Sequence, residues 1–298
     1  MAISRFPRIP KSVKEFFDRA TQKVFTLEEL DYIFQEHISQ WSLPVSTVED
    51  FEKQLVQSDI LQANKFEFEE RIKSQIRFWT SKADIYDVAI SLIPRAHLSH
   101  ITALFLHGII EKPPKSIYIT SEQSKKENRT QTSQLKQEDI NNAFSKPHRQ
   151  TNTKCTYRGK EIIALNGMFT NNIGVITMSA KPVTSLERTL IDITVRPSYG
   201  GGVAEVLKAF INARNTVDID VLINLLDSIN YTYPYYQSIG FYLEKAGYSN
   251  QQISKLKKRQ KYVDFYLDYA VKNPIYSMDW RLFYPQKLEK ISRHNLRD

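Results

Sequence analysis

The stretch Thr184–Gly202, TSLERTLIDITVRPSYGGG, leaves the backbone few options. Leu186, Leu190, Ile191, Ile193 and Val195 make it strongly apolar. Thr184 followed three residues later by Glu187 has the spacing of a capping box, so a helix is expected to start here. Arg188 and Asp192 lie one turn apart on one face and can pair. Pro197 bars the helix from continuing and biases Arg196 away from helical geometry. Gly200, Gly201 and Gly202 then permit a sharp turn. The chain has only nine glycines, so three in a row fix the turn here. The stretch therefore predicts a buried helix closed by a tight turn. Glu187 and Asp192 could instead form a catalytic carboxylate pair, but an arginine between two carboxylates favours a cap and an ion pair.

Upstream, the hydrophobic pattern changes period several times. Val13, Phe16, Phe17 and Ala20 recur at helical spacing, predicting a helix over 11–20. Val24 and Phe25 form a short β-prone pair. Thr26 with Glu29 makes a second capping box, ahead of Leu27, Leu30, Ile33, Phe34 and Ile38 on one face. The turn WSLPV follows. Ser46 with Glu49 makes a third box, ahead of Val48, Phe51, Leu55 and Val56. Beyond Asp59, Ile60–Leu61, Lys65–Phe68 and Ile76–Trp79 read as short strands around a charged tip, 69–74. Helix, strand, helix, turn, helix, strand, tip, strand is the order of a winged helix-turn-helix domain, expected over residues 1–80. The helix at about 47–58 would then lie in the major groove, presenting Thr47, Asp50, Lys53, Gln54 and Gln57. Base reading is assigned to Thr47, Lys53, Gln54 and Gln57, because glutamine can bridge adenine edges and lysine can reach guanine or phosphate. Arg71 and Lys73 at the tip suit phosphate or minor-groove contact, with Arg5, Arg8, Lys11 and Lys14 as further backbone contacts.

Residues 81–298 read as a larger mixed α/β domain with a helical end, so the fold class is α+β. A helix is expected over 83–93 and another over 96–109, closed by Gly108. His97, His100 and His107 lie on the second; apart from Asp84, Asp87 and Glu111 no nearby carboxylate or cysteine completes a ligand set, and hydrogen-bonded structural histidines are the expectation over a metal site. Lys115–Thr120 alternates as a strand. Residues 121–137 are polar and without hydrophobic period, as in a mobile surface loop. A short helix at 138–144 precedes β-prone runs at 155–158, 161–165 and 173–178, read as an antiparallel meander. After the glycine turn, 203–213, 219–229, 234–246 and 250–259 fit amphipathic helices, and 263–267 and 276–283 late strands. Lys255, Lys257, Lys258, Arg259 and Lys261 form a basic run that could track phosphates or be a solvated face.

The net charge of +8 is unevenly spread. Residues 1–82 hold 12 Lys and Arg against 13 Asp and Glu, so the surplus lies in the larger domain. Cys155 is the only cysteine, which excludes an internal disulfide and fits a reducing compartment. No apolar run approaches membrane-spanning length, and MAISRFPRIPKSVKEFF has no apolar signal core, so a cytoplasmic protein is expected. No phosphate-binding glycine loop, nucleophile–histidine arrangement or HExxH occurs, and neither cofactor, metal nor enzymatic activity is expected.

Four segments carry a resemblance. LSHITALFLHGI followed by SIYIT, ALNGMFTNNIGV, SLERTLIDITVRP followed by YGGG, and DWRLFYP are similar, in this order, to elements of the AbiEi family of bacterial antitoxins. The resemblance covers most of residues 75–285. It implies an antitoxin of a type IV toxin–antitoxin system linked to abortive infection. Such a protein would autoregulate through a winged helix on double-stranded DNA repeats in its own promoter. It would counter a nucleotidyltransferase-type toxin without forming a stable complex with it. Two rival readings are a metal-dependent nuclease using Glu187, Asp192 or the histidines, and a solitary winged-helix regulator or protein-interaction module.

Overall fold

The structure is a computed structural model describing residues 9–43, 45, 47–70, 72–125 and 135–291. It is of the α+β class, and the chain divides into two compact units. The first comprises residues up to Ala96 together with Asn152–Ile163, and the second comprises His97–Thr151 and the chain from Ala164 onward. The boundary expected at residue 80 thus falls inside the first unit. Among the described residues no helix is long and apolar enough to cross a membrane.

In the first unit α1 (Lys11–Arg19) leads through β1 (Val24–Phe25) into α2 (Leu27–Trp41) and α3 (Val48–Gln57). The strands β2 (Gln62–Phe66) and β3 (Gln75–Trp79) and helix α4 (Ile85–Ser91) follow. The box at Thr26 forms: its side chain accepts from the Glu29 N–H, and Glu29 returns a carboxylate to the Thr26 N–H. The next helix is capped by Thr47, whose Oγ1 accepts from the Asp50 N–H at 3.2 Å. Ser46, the expected cap, lies outside the described residues. The three strands form one antiparallel sheet in the order β1-β3-β2, with Val24 opposite Trp79 and Gln62 opposite the other side of Trp79. Val13, Phe17, Phe25, Leu30, Phe34, Phe51, Leu55 and Leu61 make its core, with edge-to-face rings at Phe17–Phe25.

The second unit opens with β4 (His97–Leu98), α5 (His100–Leu106), β5 (Ser116–Glu122) and α6 (Gln137–Phe144). The expected single helix over 96–109 is therefore a strand and a shorter helix. Leu98 is drawn into a ladder between Ile119 and Val183, and His100, at φ +53°, turns the chain into α5. Of the segment 121–137 expected as a loop, Ser121 and Glu122 belong to β5 and Gln137 to α6, while 126–134 lie outside the described residues.

The hairpin of β6 (Lys154–Tyr157) and β7 (Lys160–Gly167) starts in the first unit, where Cys155 is opposite Ile162. The strand β7 then runs into the second unit, where Gly167 accepts from the Gln123 N–H. The strands β8 (Val175–Met178) and β9 (Lys181–Thr184) pair with each other, and β9 runs parallel to β4. The expected meander is thus not continuous: β8 turns back onto β9, a strand whose four residues, KPVT, are too short and too polar to show a period.

The helices α7 (Leu186–Val195), α8 (Val203–Asn212), α9 (Ile219–Ile229), α10 (Tyr235–Lys245) and α11 (Asn250–Lys257) come next. A small sheet of β10 (Phe265–Tyr266), β11 (Pro274–Ser277) and β12 (Leu282–Pro285) follows, in the order β10-β12-β11. The strand read at 276–283 is in fact the two arms of the β11–β12 hairpin. Helix α7 packs against α5, α8, α9 and α10, and eight of its ten residues are buried. A helix buried on all sides is a core element rather than a surface one. Its cap is Ser185, which accepts from the Arg188 N–H, and not Thr184, which ends β9. The turn after it needs φ +91° at Gly201 and +93° at Gly202, a region closed to most side chains.

Candidate nucleic-acid interface

The exposed side of α3 is set by how the helix is rotated on its core. Phe51 and Leu55 are fully buried. Gln54, assigned from sequence to base reading, is buried between them at 4% exposure. Val56, assigned to the apolar face, is 39% exposed. The helix is turned toward Gln54 and away from Val56, so Gln54 is removed from the outward set. Its Oε1 has no hydrogen-bond partner among the described residues, an arrangement that burial makes costly.

What remains outward is Thr47, Asp50, Lys53 and Gln57, at the i, i+3, i+6 and i+10 positions of one stripe. Thr47 is engaged as the cap, and Lys53 lies 3.5 Å from Asp50. Gln57 is exposed, and its carboxamide makes no hydrogen bond among the described residues. Around this stripe the charge is acidic. Glu52 sits near Glu49 and Asp31, and burial followed by these two carboxylates holds its carboxyl above the usual range. The cations of the first unit lie elsewhere. Lys73 is exposed beside the β2–β3 connection, where its carbonyl accepts from Gln75 Nε2. Lys65 on β2 is exposed and paired with Glu67 at 2.6 Å. Lys14 is exposed on α1, while Lys11 pairs with Glu15. Arg5, Arg8 and Arg71 lie outside the described residues.

One basic residue of this unit was missed because its position in the chain suggests the other domain. Arg158 lies at the turn of the β6–β7 hairpin at φ +48°, exposed over the Tyr157 ring and bonded to Gln62 on β2. The Arg-Gly pair between two β-prone runs was the available signal for a hairpin tip.

The basic run near the C-terminus is not a free patch. Lys255 pairs with Asp220 at 2.6 Å and Lys257 with Glu244 at 2.5 Å. Arg259 grips Asp227 with two bonds of 2.7 and 2.8 Å. Lys261 donates to two carbonyls and lies over the Trp280 ring, and burial lowers its pKa. Lys258 alone is exposed without an ion pair among the described residues. Three of the five charges are offset by neighbouring carboxylates, which removes most of the expected attraction for phosphate.

The carboxylates of the 184–202 stretch diverge. Glu187 accepts from the Asp218 N–H at the start of α9. Asp192 is buried and accepts from Arg188 Nε at 2.8 Å; the same guanidinium donates to the Ile173 carbonyl and the Thr170 hydroxyl. Burial pushes the Asp192 carboxyl upward against the pull of Arg188. His97 is buried with neither ring nitrogen partnered among the described residues, His100 bonds Ser99, and His107 bonds the Thr184 carbonyl. Among the described residues no three His, Cys, Asp or Glu side chains converge on a point that could hold a metal.

No family model and no curated protein matches the chain. Among solved structures, the RV2827C protein from Mycobacterium tuberculosis is similar, with a TM-score of 0.58 and 14% identity. The match covers 95% of this chain and 93% of that one. At this identity the likeness is one of fold.

Proposed function

We propose that the chain is a cytoplasmic DNA-binding autorepressor and antitoxin of a type IV toxin–antitoxin system, acting without catalysis. The observation that carries the DNA-binding part is the first unit. Its order α1-β1-α2-α3-β2-β3, closed by the sheet β1-β3-β2, supports a winged helix-turn-helix. In this reading α3 enters the major groove with Thr47, Lys53 and Gln57 toward the bases, and the β2–β3 connection is the wing. Because the outward side of α3 is acidic, attraction to phosphate falls to Lys73 at the wing, and to Lys14 and Arg158. The antitoxin part rests on the AbiEi-like segments; in the second unit α5 packs against α7, and Arg188 of α7 donates to Thr170 and Ile173 of the segment after β7.

The proposal is tested with DNA from upstream of the chain's own gene. Lys53→Ala with Gln57→Ala is expected to relax sequence preference, at about 1–3 kcal/mol for each base no longer read. Lys73→Ala is expected to weaken all sequences alike. Gln54→Ala is expected to act on stability and not on base preference. Unchanged binding by the Lys53→Ala/Gln57→Ala double variant and by Lys73→Ala would overturn the placement of α3. Co-expression with a neighbouring nucleotidyltransferase-like protein, with growth as the readout, tests the antitoxin part.

A second reading, that this unit binds protein, is favoured by the groove between α1 and α2. Phe16, Ala20, Phe25 and Ile33 line it beside Glu28 and the 67%-exposed Tyr32. It predicts no salt-dependent affinity for DNA.

A further inference from the structure

In the second unit the loop Asn230–Tyr236 and the segment Arg259–Val263 enclose an open cavity of about 530 Å³. Its walls are chiefly tyrosine rings. Tyr233 and Tyr235 are fixed from behind by Phe265, at centroid distances of 6.1 and 5.4 Å. The Tyr236 hydroxyl donates to the Gln260 carbonyl, and Arg259 lies over its ring. Tyr262 differs: it is 65% exposed and meets no other ring among the described residues, although its hydroxyl donates to Gln260 Oε1. A large ring held at a cavity wall with a face in solvent offers a stacking surface.

The polar groups at the same cavity narrow what could stack there. Asn230, held at φ +53° at the end of α9, has a carboxamide with no hydrogen-bond partner among the described residues. Gln260 uses its oxygen on Tyr262 and leaves its NH₂ without an acceptor among them. A carboxamide presents a donor and an acceptor side by side, the pattern that pairs with a base edge. Arg259 is spent on Asp227, so the wall itself is nearly neutral, and the residue before it in the chain, Lys258, is an exposed cation without an ion pair among the described residues. The volume lies in the range of small-molecule sites.

We propose that this cavity binds a nucleobase carrying a phosphate, as a free mononucleotide or as one residue of a single strand. The base stacks on Tyr262, its edge meets Asn230 and Gln260, and its phosphate faces Lys258. A proline-rich peptide would use the rings but leave the carboxamides and Lys258 idle. The site is separate from the first unit and stands or falls independently of duplex binding.

Calorimetric titration of the full chain tests this with AMP, GMP, CMP, UMP, adenosine, inorganic phosphate, a short oligothymidylate and a proline-rich peptide. Saturable binding of at least one mononucleotide is expected. Tyr262→Ala should weaken it roughly five- to a hundredfold, the range of one stacking contact, with no change in melting temperature because the ring is exposed. Asn230→Gly, which keeps the backbone geometry, should change the ranking of the four bases. Lys258→Ala should weaken AMP but not adenosine. An oligothymidylate that binds more tightly than the mononucleotides identifies a single strand as the source, and equal or weaker binding identifies the free nucleotide. The proposal is overturned by absence of saturable nucleotide binding at millimolar concentration, by binding that survives Tyr262→Ala, or by a peptide that binds where no nucleotide does.

Discussion

Arg188 and Asp192 form an ion pair in which both side chains are nearly sealed from water, at 7% and 9% exposure. A buried pair stabilises little in total, because desolvation offsets attraction, but removing one partner strands the other. Asp192→Ala is therefore expected to destabilise the second unit by about 3–5 kcal/mol, read as a drop in its unfolding midpoint. A midpoint within experimental error of the parent would show that Arg188 is held by Thr170 and Ile173 alone. The histidines set a second expectation. Burial lowers the pKa of His97 to about 4; Arg188 and His100 add to this, while Asp192 and Glu122 oppose it. Burial also lowers His148 to about 4 and His100 to about 3. In the unfolded chain each takes up a proton near pH 6.5, which the folded chain refuses. Stability is therefore full above that pH and is lost as pH falls toward about 4, by on the order of 3 kcal/mol for His97. Urea midpoints between about pH 7 and about pH 4 check the slope, and His97→Phe should flatten it. The i,i+4 pairing of Arg188 and Asp192 was legible from spacing alone. That His97 would be buried without a partner was not, because the strand that encloses it pairs with residues more than twenty positions away.

At the scale of elements, α10 shows what a single absent side chain can hold together. A Cβ added at Gly240 would lie 2.1 and 2.2 Å from two ring carbons of Trp280, which is fully buried and donates its indole N–H to Glu244. One turn earlier, Gln237 donates to the carbonyls of Val263, Trp280 and Arg281, tying the helix to the β11–β12 region. Glycine is a poor helix former, yet here it admits the indole. Gly240→Ala should lower stability by at least roughly 1–3 kcal/mol despite its better helix propensity, and Trp280 fluorescence would report the shift. A more stable protein would contradict this account of the contact. The long amphipathic helices were readable because their apolar spacing persists over several turns. The short strands β4 and β9 were not: two to four residues give no period, and only their partners define them. Helix α3 falls between. Its existence followed from Phe51 and Leu55, but its rotation depended on whether Gln54 or Val56 filled the remaining slot, and hydrophobicity alone favoured the wrong one.

At the scale of the molecule, the first compact unit runs past residue 80, the boundary expected from the order of helices and strands. The first unit extends to Ala96 and takes back a hairpin from residues 152–163, whose Tyr157 ring packs on Phe66 and Trp79. This return of the chain brings Arg158 and Lys154 into a unit that is otherwise close to neutral. Glu69 and Glu161 lie within 3.6 and 3.0 Å of Lys154, whereas Arg158 stays exposed. The basic run at 255–261, read from sequence as a possible phosphate track, is offset by Asp220, Glu244 and Asp227 contributed by neighbouring helices. Charge counted along a chain could not reveal either effect. If the first unit binds duplex DNA, few cations carry the attraction, so the salt dependence should be real but shallow.

That dependence is the most direct test of the account. Affinity of the full chain for its own upstream DNA, measured by fluorescence anisotropy over a salt series, should give a linear fall of log affinity with log salt concentration. Three to five phosphate contacts imply a slope of about −3 to −5, and Lys73→Ala should reduce its magnitude by about one. A slope near zero, or equal affinity for any duplex with Lys73→Ala without effect, would contradict the proposal that this unit reads DNA.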